Sequence, residues 1–250
     1  MSGPLNPAVM WLTMRQLFVP QRLITAVIVS LFPLALAMLF EATGTRTDMD
    51  SGKFLITMYR ELVIGTMLPL VTIVFGTLAF GDGVADGTII YLLVKPEARW
   101  RVVLSKYVVA TLASIVVMLP AVFLPWTRMN FETVPMDVPL AFAAAIFIGA
   151  AIYTAIFLAA GLASKRALVL GLIYVVIIEF MLSRNVAGVK SFSVREITLT
   201  ALAKLGDGNR WIGPGEVTIE TAWTMGSLIF AASLMFAWHK FQRYELAEKL

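Results

Sequence analysis

Residues 62–127 read LVIGTMLPLVTIVFGTLAFG, then DGVADGTIIYLLVKPEARWRVVLSK, then YVVATLASIVVMLPAVFLPWT. The first and third pieces, Leu62 to Gly81 and Tyr107 to Thr127, are uncharged runs of 20 and 21 residues. Each is long enough to cross a hydrocarbon core as a helix. The chain between them must therefore stand outside the lipid. There Gly81, Gly83 and Gly87 permit unusual backbone turns, and Asp82 and Asp86 favour a helix start. Thr88 to Val94 reads as a short helix ended by Pro96, after which Arg99, Arg101 and Lys106 lead into the next span.

The rest of the chain repeats this pattern. Hydrophobic residues make up 59% and charged residues 14%, with a mean hydropathy of +0.84, which excludes a water-soluble globule and indicates a polytopic membrane protein. There is no Cys, so disulfides, thiolate metal sites and cysteine nucleophiles are excluded. The single His239 leaves no histidine pair for a metal and no Ser-His dyad. No phosphate-cradling G-x-x-x-x-G-K-[ST] motif occurs, so the chain has no ATP site of its own and reads as a non-enzyme. A net charge of +4 gives nucleic-acid binding no support.

Residues 1–22 carry an apolar stripe at Met10, Met14, Leu17 and Phe18 and predict an amphipathic interfacial helix. A first span follows at 23–40, with Pro33 as a kink point. Ala35-Leu36-Ala37 imitates a signal-peptidase site, but the long structured segment before it argues against cleavage. Residues 41–58 are polar and predict a loop, with room for a short helix, leading to Arg60 and Glu61, which open the second span (62–81) at its outer edge. Adjacent on a helix, these two do not face each other, and they read either as a gate or substrate contact or as interfacial anchors.

The third span (107–127) ends near Pro120 and Pro125, with Trp126 expected at the interface. The fourth occupies 138–164, Lys165-Arg166 is a basic turn, and the fifth runs over 167–183. Glu179 interrupts this fifth run and is the leading candidate for a residue on a substrate path, the alternative being a carboxylate paired with or solvated beside Arg184. Residues 184–220 are too long for a structureless loop, and Val194 to Leu205 predicts a helix stopped by Gly206-Asp207-Gly208. The sixth span covers 221–239.

Basic residues decide the orientation. The N-terminal arm, the 81–106 loop, Lys165-Arg166 and the C-terminal tail together hold 11 basic and 5 acidic residues, and the opposite side holds 9 basic and 11 acidic. The positive-inside rule then places both termini and the polar loop in the cytoplasm of a multi-pass plasma (inner) membrane protein. The 184–210 stretch, with five basic residues on the outer side, is the exception.

The polar loop resembles the cytoplasmic signature of the ABC type-2 exporter permeases: an acidic-Gly-Thr unit, Leu-Leu, Pro-x-x-Arg and a lysine opening the next helix. Here these are Asp86-Gly87-Thr88, Leu92-Leu93, Pro96-Glu97-Ala98-Arg99 and Lys106. Two positions depart from it: Ser105 stands where a glycine commonly precedes the lysine, and Ile90 where an acidic residue often follows Gly-Thr. The resemblance implies an all-α membrane subunit with six transmembrane helices. It also implies an interfacial N-terminal helix, a coupling helix between spans two and three, and short outer helices before span six.

It further implies that a separate P-loop ATPase, which binds the ATP and Mg, docks on the loop, with Asp82 counted among the coupling residues. A second permease copy, identical or related, would complete the path for a hydrophobic or amphipathic cargo within the membrane lipid. The alternatives are an ion- or proton-coupled transporter using Glu179 and a non-transporting scaffold.

Overall fold

The computed structural model describes residues 5–42, 48–85, 98–129, 134–183, 187–207 and 209–243. Helix α1 spans Pro7–Leu17 and α2 Pro20–Ala42. Helix α3 is continuous over 48–85: Asp48–Met58 and Leu68–Ala85 are α-helical, and Tyr59–Met67 between them is π-helical. Helix α4 is Arg99–Met129 and α5 is Asp137–Ala163. Helix α6 is Ala167–Leu182, with its second half, Val175–Leu182, π-helical. The short α7 (Ala187–Lys190), α8 (Val194–Leu205) and the long α9 (Ile219–Arg243) follow. No strand occurs among the described residues.

Within lipid every backbone N–H and C=O must be bonded inside its own segment, so apolar runs become helices. Among the described residues five helices are long and apolar enough to cross a membrane: α2, α4, α5, α9 and Ser51–Val84 of α3. The run expected as a fifth span is helical too, but it is two eight-residue halves and stops short of the others.

Helices α3, α4 and α5 form the centre, with 72%, 61% and 67% of their most apolar windows buried, against 17% for α2 and 11% for α9. Water does not drive helices together inside lipid, so close approach does. Gly161 of α5 faces the backbone of Thr77 in α3, where a Cβ would come within 2.6 Å of the Thr77 carbonyl oxygen. Helix α2 touches the bundle through three small residues, Ser30, Pro33 and Ala37, and packs mainly on α4. Its opposite face (Ile24, Val27, Ile28, Leu39) is exposed apolar surface.

Several expectations are revised. Residues 48–58 are helical, so α3 starts well before its apolar run and Arg60-Glu61 lie inside it, not at its edge. Helix α4 likewise begins at Arg99, which sets Lys106 two turns inside the helix rather than at its start. Helix α1 buries Val9, Thr13 and Leu17; of the expected stripe, Leu17 is buried, Met10 and Phe18 pack against the core, and Met14 is exposed. Thr13 can be buried because its hydroxyl donates to the Val9 carbonyl at 2.8 Å. Trp126 is buried rather than interfacial, its indole N–H donating to the Val134 carbonyl at 2.9 Å and tying α4 to the start of α5.

Candidate functional site

Polar chemistry gathers at the two ends of the bundle. At one end lie the two described margins of the polar loop. Asp82, near the end of α3, pairs with Arg22 of α2 at 3.0 Å, and the same guanidinium donates to the Gln16 carbonyl at 2.9 Å. Arg99, the first residue of α4, donates to the Gln242 carbonyl at 2.7 Å, satisfying one of the acceptors that the end of α9 leaves open. Lys106 is buried; its ammonium donates to the Ala79 carbonyl of α3 and lies 4.6 Å from the centre of the Phe80 ring. Ser105 accepts from the Asn6 backbone N–H at 3.0 Å, fixing the cap of α1 against α4. Asp86, Gly87, Thr88, Leu92, Leu93 and Pro96 lie outside the described residues.

At the other end, two of the three remaining candidates, Glu61 and Glu179, meet one helix. The π-helical stretches hold all three: Arg60 and Glu61 in α3, Glu179 in α6. Glu179 is fully buried at the N-terminus of α8. Its carboxylate accepts from Ser193 Oγ at 2.5 Å, the Val194 N–H at 3.0 Å, the Arg195 N–H at 3.3 Å and the Tyr174 hydroxyl at 3.3 Å. A negative charge here meets the positive end of the helix dipole and the donors that the first turn leaves open. Ser193 completes the cap by accepting from the Glu196 N–H at 3.2 Å.

The next residue of α8 links this cap to α3. The buried Arg195 guanidinium donates to Glu61 Oε1 and to Glu196 Oε1, both at 2.7 Å. Gly65 makes room for it, since a Cβ there would stand 3.0 Å from Arg195 Nε. Glu196 is almost wholly enclosed, and burial holds its carboxyl above the usual range despite the guanidinium beside it. Glu61 is half-exposed and forms the open rim of the cluster. Arg60 faces the chain near Gly213, where a Cβ would lie 3.2 Å from its Nη1. Lys190 pairs with Glu216, whose carboxyl is held below the usual range by that ammonium.

A family model described as "ABC-2 family transporter protein" matches residues 15–194, from within α1 to the first residue of α8. That is well over half of the chain. The chain belongs to the ABC-2 transporter family. No curated protein matches it. ABC-2 membership makes this a multi-pass membrane protein with a permease role in an ABC transporter, a family associated with an ABC ATPase subunit.

In this ABC-2 chain, Arg195, Glu196 and Ser193 escape a reading by hydropathy because α8 carries too many polar residues to look buried. One signal was present. Ser193-Val194-Arg195-Glu196 has the S-x-x-E form of a capping box, which marks a helix start and two side chains that turn inward on it.

Proposed function

We propose that this chain is the membrane-spanning subunit of an ATP-driven exporter, moved by a separate P-loop ATPase that docks on the 82–106 segment at the cytoplasmic face of the plasma membrane. One observation carries the reading: the described margins of that segment are fastened to most of the bundle. Asp82 holds α2, Ser105 holds α1, Lys106 holds α3 and Arg99 holds α9. A displacement of the segment is therefore passed to helices at both margins of the bundle, as a power stroke requires. ATP and Mg would be held by the ATPase alone. Two copies, identical or related, would enclose the path, and its apolar walls suit a hydrophobic or amphipathic cargo.

On this reading the coupling residues divide into two groups. Leu92 and Leu93 meet the ATPase, whereas Arg99, Asp82 and Lys106 transmit its movement. Affinity purification in mild detergent, followed by mass spectrometry, tests this. A P-loop ATPase is expected near one-to-one with the wild type and absent with Leu92→Asp or Leu93→Asp. Arg99→Ala should keep the ATPase bound and lose transport. Recovery of the chain with no ATPase, together with proton-dependent flux abolished by Glu179→Gln, would overturn the exporter reading in favour of an ion-coupled carrier.

A further inference from the structure

Helix α2 buries Ser30, Pro33 and Ala37, yet between Arg22, which pairs with Asp82 near the end of α3, and Phe32 a gap opens beside α3. The gap is a cavity of about 580 Å³ that runs from Gln21 and Arg22 past Val29 to Phe32, lined on α3 by Leu70 and Val74 among others. Eleven residues of helix separate its ends, on the order of 16 Å at ~1.5 Å per residue. Phe32 and Leu70 are among the exposed residues of the bundle, so the cavity opens sideways, toward hydrocarbon rather than toward water.

An apolar space of this kind stays dry, and if left empty its walls would lose their dispersion contacts. The bilayer offers a filling. The polarity of the cavity is uneven: its lining is apolar apart from Thr66 on α3 and from Gln21, Arg22 and Thr25, which meet at one end and include its one charged side chain. Arg22 spends two of its five N–H donors on Gln16 and Asp82. Arg15 lies seven residues earlier in the chain, on α1.

We propose that this cavity holds one acyl chain of a resident anionic phospholipid, whose phosphodiester sits at Arg22. The lipid acts as a wedge that seats α2 on the bundle, and it is distinct from any cargo. Zwitterionic and anionic lipids both carry the phosphodiester, but the choline cation of the former would stand beside the Arg22 guanidinium, and this like-charge contact favours the anionic headgroup by about tenfold.

Nanodiscs of equal phosphatidylglycerol and phosphatidylcholine, followed by stepwise delipidation and native mass spectrometry, provide the test. One phospholipid should persist longest, phosphatidylglycerol over phosphatidylcholine by about tenfold. Val74→Trp, which fills the cavity, should abolish its retention, whereas Leu112→Trp on the exposed face of α4 should not. Arg22→Gln should keep a bound lipid and erase the headgroup preference. Because a filled cavity can also disturb folding, wild-type protein is also labelled with a phosphatidylglycerol that carries a diazirine in its acyl chain. Adducts are expected on α2 and α3 around Val29, Leu70 and Val74. Lipids lost in one continuous series, retention unchanged in Val74→Trp, or adducts spread evenly over the lipid-facing helices would overturn the proposal.

Discussion

Glu179 looks from sequence like a charge in search of a task, and its surroundings give it one. Four donors converge on it, three of them from the first turn of α8 or its cap. Glu179→Ala would leave those donors buried without an acceptor, each costing about 1–3 kcal/mol, so a loss of about 3 kcal/mol or more is expected. Thermal unfolding in detergent measures it. Arg195 invites a second test. Arg195→Met strands the carboxylate of Glu196, a loss in the range of about 3–5 kcal/mol, and adding Glu196→Gln should restore roughly 2 kcal/mol. No recovery in the double variant would mean that the pair is not coupled.

Glu196 also sets a pH dependence. Its folded pKa is raised, so its contribution is present at low pH and is lost as pH rises through that raised value. The Glu196→Gln variant does not titrate there. The difference in Tm, wild type minus variant, should therefore fall as pH rises from the ordinary carboxylate range through that raised value. For Glu216 the sign is opposite: its pKa is lowered, so the Lys190–Glu216 clasp persists above the ordinary carboxylate range and is lost on acidification through the depressed value.

At the scale of elements, packing in the bundle depends on places with no side chain. Gly161→Leu pushes α5 off the Thr77 backbone and should destabilise the α3–α5 contact by about 1–3 kcal/mol, read as a lower Tm and a loss of monodispersity. The same scale explains what sequence could and could not say. Apolar runs announced α2, α4, α5 and α9 because lipid leaves them no other conformation. The helices also run on past those apolar stretches, as at 48–58 before the second run and 99–106 before the third, since backbone bonding continues whatever the side chains.

Helix α8 was foreseen as a helix but not as a buried one. Arg195, Glu196, Thr198 and Thr200 are individually hydrophilic, and only their mutual pairing and the cap from Glu179 make burial tolerable. The π turns at Tyr59–Met67 and Val175–Leu182 leave no mark on composition, yet they carry the polar residues that reach α8. Of the basic residues at 184–210, Lys190, Arg195 and Lys204 each sit against a carboxylate.

For the whole molecule, the order of the helices along the chain sets the order in which they can be joined. Helix α2 leaves the ribosome early, yet its buried residues Ser30, Pro33 and Ala37 rest mainly on α4, which is made some seventy residues later. At synthesis rates of roughly 5–20 residues per second, α2 must wait alone in the bilayer for several seconds or more. A segment with that history cannot rely on neighbours to cover polar groups, which accounts for a stretch, 23–40, without a charged residue. A charge placed on α2 at Ala37 would thus act before the protein exists as a bundle, at membrane insertion, and would appear as lost yield rather than as lowered stability of the finished protein.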